Sequence, residues 1–312
     1  MSLLSGIIPP VLTPFTVDGE LDLPSLDRLV DHLVAGGMDG LFVLGSSGQV
    51  AYLTDAEREA VVRRVVDRAA GRVPVFVGTP DLTARRVAEL ARRVVDWGAD
   101  AVVATAPFYA LASAAEVAQH FRMIARAVDV PVIAYDVPVR VNAKLGVDLV
   151  VELGREGVLA GVKDSSGDDV SFRRLVRANA DAGSPLSIST GHEVMVDGMA
   201  LLGADGVVPG LANVDPAGYR RLWDAALLGD WGAARAEQDR LAHLFEIAFT
   251  PVGLGGDAAG IGAFKAALAR LGVIASGAMP APLTPLPDAA LARIDVLLAE
   301  VGLVASPRGV AS

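Results

Sequence analysis

Apolar runs of strand length alternate with amphipathic runs of helix length along most of the chain. Eight short runs are rich in branched and aliphatic residues: 6–12, 40–45, 74–78, 101–105, 131–135, 159–163, 186–189 and 206–209. Their length and near-continuous hydrophobicity predict strands covered on both faces. Between them, a 3.6-residue period predicts helices at about 24–35, 54–70, 83–97, 113–128, 147–153, 168–179 and 193–202, with an eighth from 216. The starts are well marked. Asp22 precedes the first helix, and Gly36-Gly37 stops it. Thr54-Asp-Ala-Glu57 and Ser113-Ala-Ala-Glu116 read as capping boxes, and Asp215-Pro216 as a cap.

Eight strand–helix units spaced about 20–35 residues apart have the rhythm of a (β/α)8 TIM barrel. A doubly wound sheet is the structural alternative, but eight regular units with no large insertion favour closure. The division expected is a catalytic barrel over 1–228, a C-terminal helical appendix over 229–302 and a tail over 303–312. The appendix carries helical patterns at about 231–249, 258–271 and 288–301. A Gly-rich stretch, 253–260, reads as a flexible joint, and the Pro-rich stretch 280–287 reads as a linker. Residues 306–312 read as a frayed tail.

Composition narrows the class. With 312 residues, 52% of them hydrophobic, the chain can bury a large core. There is no Cys, which excludes disulfides and thiolate metal sites. The net charge of −10 argues against nucleic acid or anionic lipid as partner. The uncharged apolar stretch 101–115 contains Pro107 and is too short to span a bilayer. The N-terminus lacks a basic region followed by a long apolar run, so a soluble, cytoplasmic protein is expected.

In barrels of this kind, chemistry gathers where strands end. The second strand leads into Gly45-Ser-Ser-Gly-Gln49 and the fourth into Pro107-Phe-Tyr109. The fifth leads into Tyr135-Asp-Val-Pro-Val-Arg140, and the sixth ends at Lys163. The seventh leads into Thr190-Gly-His192, and the eighth ends at Pro209-Gly210. Lys163 stands out. Of 27 basic residues only Lys144, Lys163 and Lys265 are lysines. An ammonium at the end of a buried strand is partly desolvated. Unlike arginine, such a group can lose its proton and attack a carbonyl carbon. The residues alone leave open an ordinary lysine with its head in water. Ser46, Ser47 and Gly48 have the make-up of an anion nest suited to a carboxylate, or of a plain Gly/Ser turn. Strand alternation puts Lys163 on one face with Gly161, whose missing side chain leaves room, and Tyr135 with Ile133. Tyr135 could act as acid and base toward a lysine-bound oxygen. Arg140 could hold a second carboxylate, or be one surface arginine among many. His192 is the only histidine near the rim. No cluster of metal ligands and no phosphate-binding Gly-rich loop is visible, so no metal and no cofactor are expected.

With these residues in view, the sequence resembles the dihydrodipicolinate synthase / N-acetylneuraminate lyase family of class I aldolases. The resemblance spans almost the whole chain, from Gly6-Ile-Ile-Pro-Pro10 to Leu283-Thr-Pro285. The family's Gly-Ser/Thr-Thr-Gly-Glu loop resembles 45–49, its Tyr-Asn-Val-Pro segment 135–138, and its Gly-Ile/Val-Lys segment 161–163. The resemblance implies that Lys163 forms a Schiff base with a 2-oxo acid, usually pyruvate. It implies that Ser46 and Ser47 bind the carboxylate, and that Tyr135 shuttles protons through Ser46 to Tyr109. That Tyr109 would be lent by a neighbouring subunit, making a homodimer the minimal unit and a homotetramer the expected assembly.

Departures from the family pattern qualify this. Gln49 replaces Glu, Ser47 replaces Thr and Asp136 replaces Asn. Asp136 should point away from Tyr135. Arg140 matches the arginine with which the synthase branch holds its aldehyde's carboxylate, favouring condensation of pyruvate with aspartate semialdehyde. Lys163-Asp-Ser-Ser-Gly167 instead resembles catabolic aldolases or dehydratases acting on 2-keto-3-deoxy sugar acids or 4-hydroxy-2-oxo acids. Aldehyde recognition would depend on the loops around Arg140, His192 and Val208. Gln49 alone points to a third reading, a catalytically weak protein that binds or senses a 2-oxo acid. Arg58, Leu82 and Arg86 stand where the lysine-feedback site of some synthases has His, Asn and Glu, so no inhibition by millimolar lysine in a coupled assay is expected.

Overall fold

The computed structural model describes residues 3–303. Eight parallel strands make one curled sheet: β1 (Gly6–Ile7), β2 (Leu41–Val43), β3 (Val75–Gly78), β4 (Ala101–Thr105), β5 (Val132–Asp136), β6 (Gly161–Asp164), β7 (Ser187–Thr190) and β8 (Gly206–Val207). Their order is β1-β8-β7-β6-β5-β4-β3-β2. The two ends of that series meet: the Phe42 amide donates to Pro9 O at 3.0 Å and the Val11 amide to Phe42 O at 2.8 Å. This arrangement is consistent with a (β/α)8 barrel. The first strand is shorter than the pattern predicts. Pro9 and Pro10 have no amide hydrogen for the ladder, and only a parallel bridge at Pro10 continues the pairing.

Helices alternate with the strands: α1 (Leu23–Ala35), α2 (Asp55–Ala69), α3 (Ala84–Asp96), α4 (Ala114–Ala125), α5 (Pro138–Val141), α6 (Val147–Arg155), α7 (Asp169–Asp181), α8 (Val196–Leu202) and α9 (Pro216–Leu227). The expected caps form. Asp22 accepts from the Ser25 amide at 3.0 Å, both capping boxes close, and Asp215 accepts from the Gly218 amide at 2.9 Å. Each satisfies donors that the first helical turn leaves unpaired.

After the strand–helix series come α10 (Trp231–Phe245), α11 (Gly262–Arg270) and α12 (Asp288–Glu300). Boundaries differ from the sequence expectation, and α5 has no counterpart in it. The helix expected from 193 begins at Val196, whose amide donates to Gln238 Oε1 of α10 at 2.6 Å. The pattern over 231–249 divides into α10 and a 3-10 turn at Glu246–Phe249. The stretch expected to be a flexible joint ends in a π-helical turn, Asp257–Ile261, which runs straight into α11. One continuous apolar cluster runs from Leu4 to Leu298, so α10–α12 share the core of the strands. The predicted tail at 306–312 lies outside the described residues. Among the described residues no helix is long and apolar enough to cross a membrane.

Candidate active site

Tyr135 and Lys163 are register partners at the carboxyl ends of β5 and β6. Both side chains are buried, Tyr135 8% and Lys163 6% exposed. The Lys163 Nζ sits 4.0 Å from the centre of the Tyr135 ring and 4.8 Å from that of Phe42. Burial works to raise the phenol's pKa. The charge of Lys163 and hydrogen bonds with Ser46, Ser165 and Lys163 outweigh it and hold Tyr135 below the ordinary tyrosine range. A phenol that gives up its proton more readily, beside an amine, is an acid–base pair.

The glycine at 161 was expected to make room for Lys163. A Cβ there would instead meet Ser187 O at 2.6 Å and Leu4 Cδ1 at 3.0 Å, so its emptiness serves the barrel interior. The glycine that clears the site is Gly191 after β7, where a Cβ would come within 2.0 Å of Ser165 Oγ and 3.4 Å of Lys163 Cε. Ser165 was missed as a site residue, although strand alternation from Lys163 to position 165 was the signal available.

The loop after β2 is tightly wound. Leu44 and Gln49 take positive φ values of 56° and 58°, and the Gln49 amide donates to Ser46 O at 3.0 Å. Among the described residues neither the Ser47 nor the Gly48 amide is taken by a backbone carbonyl. Of residues 45–49, Gly45, Ser46 and Gln49 line the cavity, and the Ser46 hydroxyl is hydrogen-bonded to Tyr135; Ser47 and Gly48 are not among the lining residues. Gln49 accepts from Lys265 Nζ of α11. Burial pushes the Lys265 pKa down to about 7. Asp136 faces away from Tyr135, as expected, accepting from the Leu145 amide at 3.1 Å and from Lys144 Nζ.

A cavity of about 490 Å³ opens over Ser46 and Tyr135 and extends past Tyr52, Arg140 and Asp257 to Arg58, Leu82 and Arg86. Val208 is buried beside Lys163, next to Phe42 and Ile133. Tyr109 is not gathered to the rim of its own chain: it is 94% exposed, at a positive φ of 71°. Arg140 is on the cavity wall, where Asp257 accepts from both of its Nη atoms, the Nη1 bond being 3.2 Å. His192 leans on Asp169 at 3.3 Å.

The sequence pattern places Glu193 at the start of a helix. It lies on the loop after β7, and its carboxylate accepts from the Leu211 amide at 2.6 Å. That attraction to the turn after β8 is why the helix starts late. Burial raises its carboxyl to about 7, against the backbone bonds and the charge of Lys163 that favour ionisation.

The dihydrodipicolinate synthetase family model matches residues 3–301. The chain belongs to that family. Its members are class I lyases that work through a Schiff base, and this chain is such an enzyme. Family relatives include the 4-hydroxy-tetrahydrodipicolinate synthase of Nitrosospira multiformis, 33% identical over 304 residues, 96% of each chain. The enzyme of the same name from Sorangium cellulosum is 35% identical over 294 residues, 93% of this chain and 94% of that one. Among solved structures of the family, YagE, an E. coli K12 prophage protein in complex with pyruvate, superposes with a TM-score of 0.90 at 31% identity, covering 96% of this chain and 99% of its own.

Proposed function

We propose that the enzyme condenses pyruvate with an aldehyde through an imine on Lys163, and that the aldehyde is aspartate semialdehyde. The observation that carries the first half is the pairing of the buried Lys163 with Tyr135 across β5 and β6, 4.0 Å from amine to ring. The unprotonated Lys163 amine attacks the keto carbon and water leaves, giving the imine. Tyr135 hands a proton to the departing oxygen and takes one back, a task its lowered pKa suits. The pyruvate carboxylate sits on the Ser46 and Ser47 hydroxyls and the amides of Ser47 and Gly48. Tyr135 takes a methyl proton from the protonated imine, giving the neutral enamine; the enamine carbon adds to the aldehyde carbon as that proton passes to the aldehyde oxygen, and attack by water or by the product's amine on the regenerated iminium frees Lys163. Val208 and Phe42 keep the imine dry.

The exposure and positive φ of Tyr109 support its use by a neighbouring copy, which would complete a proton path from Tyr135 through Ser46. On this reading a dimer is the minimal active unit and a tetramer the expected form. The names and coverage of the curated relatives support aspartate semialdehyde as partner.

Borohydride reduction in the presence of pyruvate tests the imine: a reduced pyruvyl group on the peptide carrying Lys163 is expected. Pyruvate binding with no adduct and no exchange of its methyl protons would instead describe a protein that senses the oxo acid. Turnover of 2-keto-3-deoxy sugar acids with none of aspartate semialdehyde would replace the second half.

A further inference from the structure

We propose that Asp257 is a specificity-determining residue, and that with Arg140 it forms a subsite for an α-amino-carboxylate group on the second substrate. The proposal rests on the imine reading above and names what the far end of that cavity recognises. Arg140 follows β5 on α5, and Asp257 opens the π-helical turn before α11, 117 positions away in sequence. Their side chains meet on the wall of the cavity that begins at Tyr135. Asp257 accepts from Nη1 and Nη2 of Arg140 and lies 3.4 Å from the Tyr52 hydroxyl. Burial and the Asp257 charge both raise the Tyr52 pKa, so that hydroxyl stays protonated as a donor.

Charge matching decides what this pair can bind. A guanidinium has five N–H donors, and Asp257 occupies one on each Nη atom, leaving three for another acceptor. A guest carrying a carboxylate alone would approach a cation already neutralised and would meet the Asp257 carboxylate beside it. A guest carrying an ammonium alone would meet Arg140. A carbon bearing both groups matches the pair charge for charge, its carboxylate on the remaining guanidinium donors and its ammonium on the Asp257 oxygens. The rest of the wall is balanced in the same way: Arg86 pairs with Asp81 at 2.5 Å and Arg58 with Asp55 at 3.5 Å. No unbalanced cation is left there for a simple anion.

The test compares two aldehydes that differ only in the ammonium, aspartate semialdehyde and succinate semialdehyde, each with saturating pyruvate. The wild-type enzyme should prefer the amino aldehyde. Asp257→Asn should lower its kcat/KM by roughly 10- to 100-fold, mainly through KM, while the value for succinate semialdehyde rises or holds. Asp257→Glu should recover part of the preference. Borohydride trapping of pyruvate on Lys163 is run on every variant as the control for folding and for the imine. Equal loss on both aldehydes, no loss on either, or a wild-type enzyme indifferent to the ammonium would overturn the proposal. So would turnover of 2-keto-3-deoxy sugar acids alone. Failure of the trapping in the wild-type enzyme would count against the imine reading itself, and so is told apart.

Discussion

Two lysines are buried in this chain, and they are treated oppositely. Lys163 lies near the carboxyl end of β6 beside a phenol, with the Ser46 and Ser165 hydroxyls on that phenol and the Glu193 carboxyl within electrostatic reach. Lys265, fully buried on α11, has the Gln49 and Ala278 carbonyl oxygens as its hydrogen-bond acceptors and the Phe15 ring 4.5 Å away. Burial pushes the Lys265 pKa to about 7. On the proposed reading it is not the nucleophile: among the described residues it lines neither the cavity over Tyr135 nor the small pocket at Lys163, and its two hydrogen-bond partners are carbonyl oxygens. Burial makes an amine able to lose its proton; a partner that moves protons and a space for the carbonyl make it a catalyst.

The sharpest break of this contrast is removal of each amine. Lys163→Met should lose the pyruvate adduct and cut turnover by roughly 10³-fold or more. Lys265→Met should keep the adduct, since the imine forms elsewhere. Peptide mapping after borohydride reduction reads both. A label on Lys265, or a label surviving in Lys163→Met, would end the distinction.

Tyr135→Phe comes next. It keeps the ring against Lys163 and Phe42 but removes the hydroxyl, so kcat should fall roughly 10²- to 10⁴-fold with the fold intact. Melting temperature and single-turnover rate separate the two effects. A variant with near-normal kcat would move the proton task to another group, for which Glu193, within electrostatic reach of Lys163, is a candidate.

Sequence reasoning reached Lys163 and Tyr135 for a physical reason. Both end apolar runs, and a polar group at the end of a buried strand is legible against its neighbours. The capping residues Asp22, Thr54 and Ser113 were legible because helix starts need donors satisfied locally. Lys265 was not, since in a helical pattern one charged residue reads as the solvent face, and only packing against the β2 loop buries it. Asp257 was equally hidden. It lies among glycines, and its pairing with Arg140 depends on how the C-terminal helices return to the barrel mouth. Glu193 sat at the right strand end but fitted a helix pattern, and tertiary hydrogen bonding overrode that pattern.

A milder perturbation acts on the hydroxyls around Tyr135. Ser165→Ala removes one of the hydrogen bonds that lower the phenol's pKa. The alkaline limb of the kcat profile should therefore move to higher pH, with kcat reduced roughly 3- to 10-fold. An unchanged profile would mean that Ser46 and Lys163 suffice to set the phenol's acidity.

The gentlest test leaves the site alone and reads Lys265 through stability. In the unfolded chain this lysine keeps its proton to about pH 10.5, whereas in the folded chain it loses it near 7. Between those values the unfolded state binds more protons, so this group makes stability rise with pH, by up to about 1.4 kcal/mol per unit. Below pH 7 both states are protonated and the cost of burying the charge is carried in full. Lys265→Met should flatten that slope relative to wild type in urea titrations at pH 7, 8, 9 and 10. Gln49→Glu should flatten it by the opposite route, because a carboxylate in place of the amide holds the proton on the folded lysine. If wild type and Lys265→Met show the same slope, the amine is not neutralised by burial. Lys265 would then be a charged strut between α11 and the loop that carries Ser46, and the contrast with Lys163 would rest on access to substrate alone.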